Sequence, residues 1–234
     1  ASVLSYLAPT PAVLVSAFKS GQTYFVSGDY KKAIEQYDNI LDTKSALLNV
    51  DSVQVSILSG EFVVNVRSAA YYQKANSMAK LGRYSEAAQN YRRVEQSNDM
   101  GRIRSMAQSQ LYNLFFKQKQ YDSAIVEARH LESAYPGSDQ APHALFDVGW
   151  AFVLWGKRDS ATAAFTDLIT RYPKSQFDVR ARYQIGQNYF ESGDYQKAIE
   201  ILAELVKLYR PEKFDSKAWE NVELKAVRDK MKFE

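Results

Sequence analysis

The hexapeptide Gly193-Asp194-Tyr195-Gln196-Lys197-Ala198 constrains this chain more than any other stretch, because variants of it recur at a fixed spacing. Gly28-Asp29-Tyr30-Lys31-Lys32-Ala33 is nearly identical, and Gly82-Arg83-Tyr84-Ser85-Glu86-Ala87 keeps its frame. Lys119-Gln120-Tyr121-Asp122-Ser123-Ala124 and Gly156-Lys157-Arg158-Asp159-Ser160-Ala161 are looser copies. Copies two to five lie 37 residues apart, whereas the first two are separated by 54. Each copy follows one apolar-periodic run and opens another, which is how two helices joined by a tight turn read in sequence. The pattern predicts an all-α solenoid of five helical pairs, with surplus residues between the first two.

In chain order, 1–11 reads as an irregular lead-in, since Pro9 and Pro11 forbid a continuous helix. The first pair occupies 12–43. The surplus, 44–67, contains the alternating run Val53-Gln54-Val55-Ser56-Ile57, the break Ser59-Gly60 and the β-branched run Phe62-Val63-Val64-Asn65-Val66. That composition favours a β-hairpin, with extra helical turns the alternative. The remaining pairs fall at 68–100, 101–137, 138–174 and 175–211. Units three and four close with Tyr135-Pro136-Gly137-Ser138 and Tyr172-Pro173-Lys174-Ser175, where proline stops the second helix. A last helix within 212–234, with Asp215 or Ser216 as N-cap, reads as the cap a repeat array requires.

A formal charge of +3, spread evenly, gives no reason to expect nucleic acid as a partner. Absence of cysteine removes disulfides, thiolate metal sites and thiol nucleophiles. No apolar run approaches the ~20 residues a membrane span needs, and no leader pattern stands at the start, so the chain as read is soluble. Enzymatic readings are weak. Glu127-Ala128-Arg129-His130 has the Glu-x-x-His spacing of di-iron bundles, but no second such pair exists. Phosphate-binding loops, His-Glu-x-x-His and glycine-framed nucleophilic serines are all missing. No catalysis, metal or cofactor is expected.

The residue pattern resembles the tetratricopeptide repeat family. A small residue stands in the first helix as Gly21, Ala75, Gly149 and Gly186, and an aromatic at the turn as Tyr30, Tyr84, Tyr121 and Tyr195. Alanine recurs in every second helix as Ala33, Ala87, Ala124, Ala161 and Ala198. Four later come Tyr37, Tyr91, Ala128, Phe165 and Leu202, then Ile40, Val94, Leu131, Leu168 and Leu205. Small residues at a crossing let two helices approach to about 8–10 Å, so the pattern has a packing cause. Unit three departs from it, with Tyr112 at the small position and Lys119 at the turn glycine, and a splay is expected there. The period and the Tyr-Pro-x-Ser unit ends are similar to those of bacterial envelope members, namely the outer-membrane β-barrel assembly lipoprotein and the Tol-Pal-associated periplasmic protein. That resemblance implies a periplasmic or outer-membrane-associated adaptor, with a lipid tether in the full-length protein as one option and a cytoplasmic placement as the alternative.

The resemblance also implies a right-handed superhelix whose first helices line a concave groove taking a protein or peptide. Its groove positions carry over to Phe18, Gln22 and Phe25, then Tyr72, Asn76 and Lys80, then Ser109, Asn113, Phe116 and Lys117. Phe146, Trp150 and Leu154, then Tyr183, Gln187 and Phe190, complete the strip. Side chains four apart share a helix face, and aromatics interleaved with amides suit an extended or helical peptide. Of these, Tyr72, Asn76, Lys80, Asn113, Phe116, Lys117, Phe146, Trp150, Tyr183 and Gln187 are the candidate contacts. Two alternatives remain: a structural spacer within a longer repeat protein, and a co-chaperone carboxylate clamp in which Asn76, Asn113, Lys80 and Lys117 hold a C-terminal carboxylate. His143, Phe146 and Asp147 stand where that clamp needs further basic residues.

Overall fold

The computed structural model describes residues 10–43, 53–57, 62–97 and 101–209. Most of the lead-in, the turn of the expected hairpin and the expected last helix lie outside the described residues. The chain divides into two compact units, residues 1–140 and 141–234. In the first, α1 (Pro11–Val26) pairs with α2 (Tyr30–Leu41), α3 (Val66–Lys80) with α4 (Tyr84–Glu95), and α5 (Gly101–Lys117) with α6 (Tyr121–Ala134). The second unit holds α7 (Gln140–Leu154), which begins at the boundary, α8 (Arg158–Arg171), α9 (Asp178–Glu191) and α10 (Tyr195–Leu208). Pairs stack through α2 on α3 and α4 on α5 in the first unit, and α8 on α9 in the second. The fold is all-α, a tetratricopeptide array of helical pairs.

Each helix starts and stops for a local reason. At Gly193 the turn needs φ +82°, in the left-handed region that glycine enters without penalty. Asp194 then caps α10, its side chain accepting from the Lys197 N–H, as Asp29 does for α2 with Lys32. Where Lys119 replaces the turn glycine it still adopts φ +58°, so unit three makes the same turn at a steric cost. After α6 and α8, Pro136 and Pro173 follow directly on the C-caps Tyr135 and Tyr172, whose carbonyls accept from Ser138 and Ser175 at 2.9 and 3.0 Å.

The crossings are as tight as the small residues require. Ala33, Ala87, Ala124, Ala161 and Ala198 are all at most 2% exposed. A methyl added at Gly21 would lie 2.5 Å from the Tyr37 ring, at Gly149 2.4 Å from Phe165 and at Gly186 2.6 Å from Leu202. The glycine is therefore the floor on which the large residue of the second helix rests. Unit three does not splay. Tyr112 is fully buried and so is Ala128, which stands where the other units have Tyr37, Tyr91, Phe165 or Leu202. The large and small residues have exchanged helices at one crossing, which conserves volume.

Between α2 and α3, β1 (Gln54–Ile57) and β2 (Phe62–Asn65) form an antiparallel pair with Val55 opposite Val64 and Ser56 opposite Val63. Val53, Val55, Val64 and Val66 are buried while Gln54, Ser56 and Val63 face water, the alternation of a sheet with one covered face. That face packs on α1 and α3 and joins their core. Asn65 ends the strand and caps α3, its Oδ1 accepting from the Arg67 and Ser68 amides.

Candidate protein-binding surface

The expected strip divides between the two units, and its residues differ sharply in exposure. In the first unit Phe18 and Tyr72 are buried, 1% and 6% exposed, and Ser109 is buried as well. Phe18 packs its ring against Tyr37 and Tyr72 against Tyr91, both at 5.9 Å between centroids. Tyr183 in the second unit is likewise buried. These three aromatics build the surface from beneath. A first helix has neighbours on two sides, so a stripe of residues four apart is wider than the part of it that water reaches.

Asn76 is half-buried and fully engaged inside its own repeat. Its Nδ2 donates to Gln73 Oε1 at 3.0 Å, and its Oδ1 accepts from the Tyr91 hydroxyl at 2.6 Å. Burial pushes the Tyr91 and Tyr72 phenols up from their ordinary range, with the hydrogen bond to Asn76 partly opposing the shift at Tyr72. Both hydroxyls therefore stay protonated and keep the amide oriented. Asn113, one repeat on, is half-exposed, and no hydrogen bond among the described residues uses its amide. Lys80 and Lys117 are exposed at the ends of α3 and α5.

Turn aromatics explain the exposure at the helix ends. Phe25 meets the edge of Tyr30, Phe116 that of Tyr121 and Phe190 that of Tyr195, at 5.4, 5.9 and 5.4 Å. The spacing Phe-x-x-x-x-Tyr was available in the sequence as a signal for this clasp. One ring edge is covered and the rest is presented outward, most fully at Phe190, which is 56% exposed.

In the second unit Phe146 stacks on Phe177 at 5.3 Å and leans on Phe165, so it is half-buried. His143 also stacks on Phe177, at 5.1 Å, and approaches Asp147 at 3.5 Å. Trp150 is half-exposed, and Leu154 and Trp155 are 47% and 42% exposed. Gln187 Nε2 donates to the Tyr183 hydroxyl at 3.0 Å. Sequence reasoning missed Trp155, whose ring lies parallel to Phe152 at 6.5 Å between centroids and carries the Lys157 ammonium 3.4 Å from its own centroid. Its place one residue before the turn glycine Gly156 was the available clue.

Glu127 and His130 do not converge: Glu127 takes hydrogen bonds from Arg92 and Gln108, and His130 turns to Glu95. Among the described residues no group of three or more His, Asp or Glu side chains comes together, and no helix is long and apolar enough to cross a membrane.

A tetratricopeptide repeat profile matches residues 69–98, 143–175 and 180–210. No curated protein matches the chain. Among solved structures, a crystal structure of MamA protein aligns at TM-score 0.57 and 15% identity over 85% of this chain and 92% of that one. MamA 41-end from Desulfovibrio magneticus RS-1 aligns at TM-score 0.53 and 16% identity, covering 89% of this chain and 100% of that one. A kinesin light chain from Podosopora anserina with nearly identical TPR-like repeats aligns at 0.53 and 15%, covering 86% and 99%. No enzymatic family is indicated. The chain thus carries tetratricopeptide repeats and shares its fold with repeat proteins of very different sequence.

Proposed function

We propose that this chain is a non-catalytic scaffold that binds a protein or peptide along the first-helix faces of its repeats. One observation carries the reading. Five large apolar side chains, Val26, Leu81, Leu154, Trp155 and Phe190, are exposed at the C-terminal ends of first helices. The first helices of the first unit also carry the amide of Asn113 and the ammonium groups of Lys80 and Lys117, and α9 of the second carries Gln187. Rings and aliphatic groups supply area, amides pair with a peptide backbone, and lysines at the rim steer. Covering a half-exposed Phe such as Phe190 contributes on the order of 1 kcal/mol, so several such contacts reach ordinary peptide affinities. A structural spacer has no use for exposed apolar side chains of this kind in either unit, which disfavours that alternative.

The test compares proteins captured by the wild-type chain with those captured by Asn113→Ala, Trp150→Ala and, as a control on an exposed second-helix position, Arg129→Ala. Loss of the same captured species in the first two variants, with retention in the third, is the expected outcome. Identical capture by all four overturns the reading.

We further infer a place in a bacterial envelope complex, periplasmic or outer-membrane-associated. Its support is the 37-residue period with Tyr-Pro-x-Ser unit ends. Fractionation of the native cells checks it, and recovery of the protein in the cytosol sinks it.

A further inference from the structure

The charges of the first unit are sorted by helix rather than along the chain. α1, α3 and α5 contain no Asp or Glu, whereas α2, α4 and α6 each carry at least two. Carboxylates on the second helices have basic partners: Asp38 pairs with Lys74, Glu86 with Arg83 and Glu127 with Arg92, while Glu95 meets His130. On the first helices Lys19, Lys80 and Lys117 are exposed, and no carboxylate among the described residues pairs with them. Spacings of three and four put Lys19, Gln22 and Val26 on one face of α1, Gln73, Asn76 and Lys80 on one face of α3, and Gln110, Asn113 and Lys117 on one face of α5. These positions are equivalent in the repeat, and α1 touches α3 as α3 touches α5. The three faces therefore make one surface, to which the first helices bring cations and amides and no carboxylate.

We propose that this surface takes an internal acidic segment of a partner protein, extended across α1, α3 and α5, with Asp or Glu residues interspersed among apolar ones. Such a partner presupposes that the first-helix faces are the binding surface, the reading proposed above. Unpaired lysines attract carboxylates and repel basic segments, so they choose the partner and speed its arrival more than they tighten the complex. The half-buried amides of Gln22, Gln110 and Asn113 make no hydrogen bond among the described residues and are open to the backbone of the segment. Val26 and Leu81, both exposed, cover its apolar side chains. Packed helices lie about 8–10 Å apart and an extended chain advances about 3.3 Å per residue, so carboxylates about three residues apart reach Lys80 and Lys117 together.

Other anionic partners fit less well. A terminal carboxylate needs cations converging on it from several helices, and one turn before Asn76 and Asn113 stand the buried Tyr72 and Ser109 rather than basic residues. The segment is thus read along its length and not at its end. No aromatic ring among the described residues of this unit is exposed for base stacking, which disfavours single-stranded nucleic acid. In the second unit Asp147 of α7 stands in the place of Gln110, and Glu191 of α9 in that of Lys117, so the selection for acid belongs to the first unit.

A library of random peptides displayed between constant flanks, which offers no chain end, is selected on the full chain, on Lys80→Glu/Lys117→Glu, on Asn113→Ala and, as control, on Arg129→Glu at an exposed second-helix position. The wild type and Arg129→Glu are expected to enrich peptides whose acids stand about three residues apart, and the double variant to lose that enrichment in favour of neutral or basic ones. An enriched peptide should bind the double variant about tenfold more weakly and lose affinity as salt rises, and amidation of its C-terminus should change nothing. A pool without acidic bias, or an acidic pool that the double variant retains, overturns the proposal. Where Asn113→Ala then abolishes that pool, the groove reading stands without the acidic partner; where all four proteins enrich the same pool, the groove reading falls as well. Affinity that vanishes on amidation assigns the face to a terminal carboxylate, and an oligothymidylate bound as tightly as the peptide assigns it to nucleic acid. Either result also overturns the proposal.

Discussion

At Gly149 the space for a single methyl group is already taken, because the Phe165 ring would lie 2.4 Å away and is itself fully buried. Gly149→Ala must push that ring off its seat, and overpacking of this kind costs about 1–3 kcal/mol. Gly137 offers the contrast: nothing lies within 4 Å of an added methyl, and Gly137→Ala should stabilise by about 0.4–1 kcal/mol by restricting the unfolded chain. Urea titrations of the two variants should move in opposite directions. Equal midpoints would contradict the crossing geometry. Lys119 makes a complementary case, since a left-handed backbone disfavours any residue with a Cβ. Lys119→Gly should therefore raise stability by about 0.5–1 kcal/mol, and a lower melting temperature would show that the lysine side chain compensates in some other way.

At the scale of the element, the helix starts of α2, α4 and α10 share one device with interchangeable signs. Asp29 with Lys32 and Asp194 with Lys197 place the acid at the N-cap, whereas Arg83 with Glu86 reverses the charges and keeps the spacing. The hydrogen bond from the lysine side chain, first among the causes, holds the Asp29 and Asp194 carboxyls below their ordinary value. A carboxyl lowered in the folded state stabilises above the unfolded value near pH 3.9, and that contribution is lost as pH falls through the lower folded value. Asn caps a helix about as well as Asp but does not titrate. The melting temperature of Asp29→Asn/Asp194→Asn should thus fall less than that of the wild type between about pH 5 and about pH 3, and superimposable pH profiles would refute the capping role.

Elements of this kind were legible in the sequence because they are local. Gly-Asp-Tyr and the Tyr-Pro ends each act within one turn of their own helix, and the alanines mark a crossing between helices that are neighbours in the chain. What escaped was set across helices. The alternation in Val53 to Ile57 pointed to a strand, but the covered face exists only because α1 and α3 lie beneath it. Asn76 was polar on an otherwise apolar face, and nothing local revealed that Tyr91, fifteen residues away, would direct its hydroxyl there. Tyr72 and Tyr183 fit the spacing of the groove and are nonetheless core, since spacing tells which side a residue is on and not how much of that side a neighbour covers.

For the whole molecule, stability of a repeat array is close to a sum of repeat and nearest-neighbour terms. About three repeats are needed before that sum becomes favourable. Residues 1–140 hold three pairs, the hairpin and an uninterrupted apolar cluster running from Leu14 to Leu114. Residues 141–234 hold two pairs, with a smaller cluster from Leu145 to Ile185. Expressed separately, 1–140 should unfold in one cooperative step with helical circular dichroism, while 141–234 should melt at lower temperature and over a broader range. The asymmetry follows from the number of stacked pairs, because the crossings themselves are equally tight in both, with Gly21 and Gly149 each beneath a ring at 2.5 and 2.4 Å. If 141–234 proved the more stable piece, the C-terminal residues 210–234 would be contributing as much as a full repeat. If 1–140 alone failed to fold, its core would depend on the pairs beyond it and the additive account would be wrong.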